Sequence, residues 1–395
     1  MSAPTTIENV KGPSVAPLRR AMILPFDPFI LLATLGLGIC SVVTLGQATA
    51  NGGGGYVSRQ LTFFVVGLVL ATLLSRMDYS RLREMTWGLY GFLLLSIVAV
   101  FFLGTSALGA QRSIQLPFFS FQASELGKVL MCIVLAGFLT GRAREIGRPS
   151  VTFRAVVLAL IPSGLVIIQP DLGSGLVYMA ILLATLFIAG IPMRHFAVLG
   201  GVAALVIALV LVALPAGGVE VLHGYQKDRL TSFLHPSESV SGEAYQQVQS
   251  IVAIGAGEKV GRGDGATQTR LDFLPESHTD FVFGVVGETW GFAGAAVVLA
   301  LYAMLIWRGL RLITLAKNLF GSILAGGIVA MLTYQVFVNV GMTIGIMPIT
   351  GIPLPLMSYG GSSVITTLLA VGLLQSIAAQ SRASVAPKGR LHSNL

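Results

Sequence analysis

Asp280 is the acidic side chain best placed to act as a base. It stands in Leu274-Pro-Glu-Ser-His-Thr-Asp-Phe281, directly before a long apolar stretch. A carboxylate at the mouth of an apolar helix is partly desolvated, which makes it a stronger base near neutrality. The same position suits a helix N-cap, whose carboxylate accepts backbone N–H bonds. Glu288 falls about two turns deeper on the same stretch. Ionisable groups at such depth are costly and are usually paired or functional. For Glu288 the alternative to a functional role is a structural ion pair, with Lys128 as partner. Glu125 and Lys128 are spaced i,i+3, share a helix face and can form a local ion pair. Arg112 lies in an outward loop next to Gly109, where its fork suits bidentate phosphate binding; a snorkelling or topology-neutral arginine is the alternative. Asp171, within Gln169–Gly173, either caps the helix after Pro170 or binds a cation or sugar hydroxyls.

The last cluster is made of Pro348, Gly351, Pro353, Pro355, Gly360 and Gly361, which predict a rigid, non-helical segment. Such backbone at membrane depth is tolerated only when buried in protein or lining a wet cavity. Ser358, Tyr359, Ser362 and Ser363 then offer hydroxyls to a polar ligand, or the segment is a re-entrant structural plug. Two further signals carry no site. Gly255-Ala-Gly257-Glu-Lys-Val-Gly261 has the wrong spacing for a nucleotide loop and no strand before it. His223, His235 and His278 lack the helical spacing of metal ligands.

The elements that must position these residues are membrane helices. The chain has 395 residues, 54% apolar and 11% charged, with mean hydropathy +0.82. A soluble domain is roughly a quarter charged, so the composition predicts an all-α polytopic membrane protein. Apolar spans are expected near 26–48, 60–76, 86–103, 123–140, 153–168, 172–190, 195–215, 281–307, 318–345 and 362–380. Cys40 and Cys132 both fall inside spans and read as small buried hydrophobes. Met1–Ala16 is polar and contains no apolar signal-peptide core.

Basic residues set the orientation. Lys11, Arg19, Arg20, Arg76, Arg81, Arg83, Arg142, Arg144, Arg148, Arg154, Arg194, Arg308, Arg311, Lys317, Arg382, Lys388 and Arg390 fall on one side, seventeen of the 25 Lys and Arg. That side is read as cytoplasmic, with both termini on it. The net charge of +8 reflects this bias and not a nucleic-acid footprint. The expected division is a cytoplasmic tail over 1–25, a membrane domain over 26–380 and a tail over 381–395. The long connection at 216–280 lies outside, and its Gly242–Ile254 part reads as an amphipathic helix on the membrane surface. Every candidate cluster falls on the basic-poor side, where ATP is absent.

These segments together resemble the SEDS family (shape, elongation, division and sporulation), which includes RodA, FtsW and SpoVE. The resemblance rests on Gly109-Ala-Gln-Arg112, Phe121-Gln-Ala-Ser-Glu125 with Lys128, Gln169-Pro-Asp-Leu-Gly173, Tyr245-Gln246 with Gln249-Ser250, and Ala253-Ile-Gly255. It continues in Leu274–Phe281, Gly287-Glu288 and Pro348–Ser363, and covers roughly residues 25–380. It implies a ten-helix fold and a peptidoglycan glycosyltransferase that polymerises lipid II into β-1,4 strands and releases polyprenyl pyrophosphate. Asn339-Val-Gly-Met342 and Met347-Pro-Ile-Thr-Gly351 look closer to the elongation branch, RodA, than to the division branch, FtsW. Two departures stand out: Ser113 where family members usually carry Trp, and Ala123 where they usually carry Pro.

In that light Asp280 is expected to be the general base. Arg112, Lys128 and Arg229 are candidates for the pyrophosphate, and Glu125 orients Lys128. Asp171, Glu288, Ser358, Tyr359 and Ser362 complete the candidate substrate-binding set. A divalent cation, Mg²⁺ or Mn²⁺, would suit the diphosphate, with ligands unassigned. The implied partners are lipid II, membrane lipids and a class B penicillin-binding protein, a single-span transpeptidase, docked on the lipid-facing side of the eighth and ninth spans and on the 216–280 loop. The implied location is the bacterial cytoplasmic membrane. The competing readings are a lipid II flippase and a non-catalytic scaffold.

Overall fold

The computed structural model describes residues 26–49, 55–107, 110–115, 120–210, 243–271, 273–274 and 277–385. Arg229 and the rest of 211–242, the segment 1–25 and the segment 386–395 lie outside the described residues. Seven helices come first: α1 (Pro28–Ala48), α2 (Tyr56–Arg76), α3 (Thr86–Leu103), α4 (Ala123–Gly141), α5 (Pro149–Ile168), α6 (Leu172–Ile188) and α7 (Met193–Ala208). Two shorter ones, α8 (Glu243–Ala256) and α9 (Thr267–Arg270), precede α10 (Val282–Leu315), α11 (Leu319–Thr343) and α12 (Gly361–Val385).

Eight of these helices are long and apolar enough to cross a membrane, and α6 and α7 are apolar but shorter, with 17 and 16 residues. They fall at the ten expected positions, the seventh followed only as far as residue 210. The chain is therefore a multi-pass membrane protein. In hydrocarbon each helix satisfies its own backbone, so long apolar runs fold this way and no other. Helix α4 is the bundle's axis: 89% of its apolar window is buried, against 22% for α3. Helix α12 packs along α2, α1 along α10, and α6 against α5 and α11.

Two features depart from the expected bare helices. The connection after α3 is a small antiparallel sheet of β1 (Thr105–Ala107), β2 (Ala110–Gln115) and β3 (Ser120–Phe121), in the order β1-β2-β3. Helix α10 is broken at Gly291, whose φ of 64° and ψ of −161° lie outside the helical range.

The basic turns gather at one end, where a buried carboxylate locks three helices. Asp27 caps α1 through Phe29 N and Ile30 N, is 0% exposed, and accepts from Arg308 Nη2 and Arg382 Nη2, both at 2.6 Å. Its backbone N–H donates to Gln375 Oε1 at 2.6 Å. Removing one partner of a buried ion pair is far more costly than never building it. Asp27→Ala should therefore lower stability by about 3 kcal/mol. Thermal unfolding in detergent reads this as a lower melting temperature, and an unchanged value would show that the lock contributes nothing.

Candidate active site

At the opposite end of the bundle the chain between α11 and α12 runs without helix through the protein. Leu354, Leu356 and Met357 are buried along it. Buried backbone without a helix needs partners from elsewhere, and side chains of four spans supply them. Ser41 of α1 donates to Met357 O at 2.9 Å, and Gln60 of α2 donates to Ser358 O at 3.1 Å. Tyr302 of α10 donates to Pro355 O, and Asn339 of α11 donates to Ile352 O at 2.8 Å. The segment is thus rigid and non-helical, as its prolines and glycines predict, and is held in place by polar groups inside apolar helices.

This segment frames Asp280. Tyr359 N donates to His278 O at 2.8 Å, and Ser358 Oγ donates to Thr279 O at 2.6 Å. Asn339 Nδ2 donates to Asp280 O at 2.9 Å. The turn 278–280 is therefore fixed by three bonds to its backbone. Gly351, at φ +70°, faces the carboxylate: a Cβ built on it would sit 3.5 Å from Asp280 Oδ2. A side chain here would be strained, and its absence leaves space beside the acid. Asp280 is half-buried. The N-cap residue of α10 is Phe281, one position after Asp280. The rings of Tyr56, His278 and Tyr359 cluster beside it, with centroids 4.9–6.1 Å apart.

A second polar chain continues from the same segment. Gly173 packs so closely that a Cβ there would meet Thr350 O at 2.8 Å. Asp171, two residues earlier, caps α6 by accepting from Ser174 N at 3.0 Å. Its other oxygen accepts from Ser124 Oγ at 2.8 Å and Gln122 Nε2 at 3.3 Å. Gln122 N donates to Ser362 Oγ at 2.9 Å, and Ser362 Oγ donates to Ser120 O at 2.7 Å. One turn into α4, Lys128 Nζ binds Glu125 Oε1 at 2.6 Å, and both side chains are buried. Arg112 lies on β2, but its side chain, like Arg229, is outside the described residues.

The structure thus brings Asp280, Gly351, Ser358, Tyr359, Asp171, Ser362 and the Glu125–Lys128 pair to one end. It changes the reading of two residues. Ser358 is 1% exposed, and its hydroxyl accepts from Leu354 N at 2.8 Å while donating to Thr279, so it shapes the turn. Glu288 does not pair with Lys128. It is 0% exposed and accepts from Gln268 N at 2.8 Å, Thr269 N at 2.9 Å and Thr269 Oγ1 at 2.6 Å, so it caps α9. Helix starts need acceptors for their free N–H groups, and the depth of Glu288 in α10 lets it serve one from outside. Glu288→Ala should leave the buried Thr269 N–H and hydroxyl and the part-buried Gln268 N–H without this acceptor and cost about 3 kcal/mol. A melting temperature equal to wild type would contradict that role.

Residues absent from the candidate set also matter here. Asn339 carries two of the bonds above, Gln122 and Ser124 hold Asp171, and Tyr56 and His278 flank Asp280. An asparagine in the middle of an apolar span is a usable signal, because such groups need partners. The helix α8 faces Gln247 and Ser250 inward, toward the carbonyls of Met342, Met347 and Thr343. It leaves Val248, Ile251 and Val252 exposed, as a helix at a membrane surface would.

The family model for FtsW, RodA and SpoVE, described as a cell cycle protein, matches residues 23–383. The probable peptidoglycan glycosyltransferase FtsW of Thioalkalivibrio sulfidiphilus is 38% identical over 354 residues, covering 87% of this chain and 86% of that protein. The peptidoglycan glycosyltransferase MrdB of Escherichia coli K12 is 36% identical over 354 residues, covering 89% and 93%. Among solved structures, a chain from a peptidoglycan synthase complex that coordinates polymerization and crosslinking matches with TM-score 0.78 and 32% identity, covering 91% of this chain and 99% of that one.

Proposed function

The chain belongs to the FtsW/RodA/SpoVE family and is a peptidoglycan glycosyltransferase, and from that premise we propose that it polymerises lipid II with Asp280 as general base. The observation that carries this reading is the half-buried Asp280 beside Gly351, in a turn pinned by three bonds, one from α11 and two from the segment before α12. Asp280 takes the proton from the acceptor sugar's 4-hydroxyl. The freed oxygen attacks the donor's anomeric carbon from the side opposite the pyrophosphate. A new C–O bond forms, the bond to pyrophosphate breaks with its electron pair, and the anomeric centre inverts to a β-1,4 link.

Charge develops on the departing pyrophosphate, and preformed donors there lower the barrier. Arg112 and Arg229 are the candidates for that role. Lys128, which keeps two N–H donors beyond its bond to Glu125, joins them only if its buried side chain becomes accessible to the pyrophosphate. Tyr359, Asp171 and Ser362 line the sugar-binding end. Among the described residues no group of three or more His, Cys, Asp or Glu side chains converges on a metal position.

The basic end is cytoplasmic in this reading, in the inner membrane of a bacterium, so Asp280 faces outward. A class B penicillin-binding protein is the proposed partner. Its single span would lie along α10 and α11, where an open apolar groove of ≈ 400 Å³ lined by Ala180, Leu310, Gly326, Val329 and Phe337 could take side chains from one face of that helix. The identities to FtsW and MrdB are nearly equal; the elongation role rests on the Asn339–Met342 and Met347–Gly351 segments. Purified protein in liposomes separates a polymerase from a flippase: glycan chains support the proposal, and lipid II scrambling without polymer contradicts it.

A further inference from the structure

We propose that Asn339 is a positioning residue for this reaction: its amide clamps the backbone of Asp280 to Ile352 and so sets the gap in which the acceptor sugar meets the carboxylate. The inference rests on Asp280 being the base. Asn339 lies inside α11 and is 0% exposed. Both amide hydrogens are used, on Asp280 O at 2.9 Å and on Ile352 O at 2.8 Å. Those two carbonyls belong to different elements, the turn before α10 and the segment after α11, and neither residue is in a helix.

The choice of residue follows from the inventory of donors. Only a side chain with an NH₂ group of this reach can serve two carbonyls at once; serine and threonine have one donor, and ionised aspartate has none. The amide oxygen of Asn339 is buried with no partner among the described residues. Turning the amide over would press that oxygen against two carbonyl oxygens, so the orientation is fixed. A residue kept for packing alone would not carry a stranded acceptor. The amide holds its place because both donors are needed.

The consequence for chemistry comes through Gly351. It directly precedes Ile352, and its missing side chain faces Asp280 Oδ2 across 3.5 Å to the built Cβ. The clamp therefore fixes both walls of the space beside the base. A misplacement of about 1 Å in such a space costs on the order of 10²-fold in rate.

The test uses the purified full-length chain with lipid II, and reads kcat, KM and melting temperature for wild type, Asn339→Ala, Asn339→Ser and Asp280→Asn. We expect Asn339→Ala to lose about 30-fold or more in kcat per folded molecule, with KM changed by less than about 3-fold. Asn339→Ser, which keeps one donor, should fall between. A purely structural asparagine would lower the melting temperature and leave kcat of the folded protein alone; that result overturns the clamp. If Asn339→Ala does not fold, Asn339→Ser decides in the same way: reduced kcat supports the clamp, and wild-type kcat overturns it. If Asp280→Asn is inactive while the folded Asn339 variants turn over normally, the clamp falls and the base stands. If Asp280→Asn stays active, the base falls and the clamp with it.

Discussion

Asp280→Asn is expected to fold as the wild type does and to polymerise lipid II about 10³-fold more slowly. The amide has the carboxylate's shape but cannot accept a proton from the sugar hydroxyl. The clamp from Asn339 reaches the main-chain carbonyl of Asp280, not its side chain, so the substitution leaves that bond in place. The turn also keeps the bonds from Ser358 to Thr279 and from Tyr359 to His278. A steady-state rate measured beside a melting curve separates the two effects. Loss of rate with an unchanged melting temperature is the expected pair. Loss of both would mean that Asp280 holds the fold and is not shown to act on the substrate.

Gly291→Ala is expected to prevent correct folding. With φ of 64° and ψ of −161°, residue 291 occupies a region open in practice to glycine alone. A Cβ there would stand 2.4 Å from Gly261 N and 2.7 Å from Val260 N, both backbone atoms that cannot swing aside. The break is bridged from outside the helix. Phe292 N donates to Glu258 O at 2.9 Å, Ala293 N to Lys259 O at 3.0 Å, and Arg262 N to Glu288 O at 2.9 Å. Dislodging that strap exposes all three, and the combined strain and lost bonds exceed about 3 kcal/mol. The measurement is the yield of monodisperse protein in detergent. Gly255→Ala is the matched control, since a Cβ there meets nothing within 4 Å and should be neutral. A well-folded, active Gly291→Ala protein would show that the break in α10 is not required.

How far the sequence announces this structure depends on which groups do the pairing. The helices are legible because hydrocarbon leaves an apolar run no alternative, and the basic turns meet at one end as the charge pattern requires. The Glu125–Lys128 pair and the Asp171 cap are legible because both partners are close in sequence. Glu288 is not, because its donors are chiefly main-chain N–H groups of residues 268 and 269, and any sequence offers those. The same holds for Gly257–Gly261, which lies against the broken helix with its backbone. Asn339 was visible as a polar residue in an apolar span, but its two partners are carbonyls brought together only by the fold. The small sheet after α3 is built from a stretch too short and mixed for strand periodicity to register.

One measurement bears most directly on the whole account. Purified wild-type and Asp280→Asn proteins are each incubated with lipid II, and the products are separated by length on a denaturing gel. The account predicts a ladder of glycan chains from the wild type and unreacted lipid II from the variant. Ladders of equal yield from both proteins would contradict it.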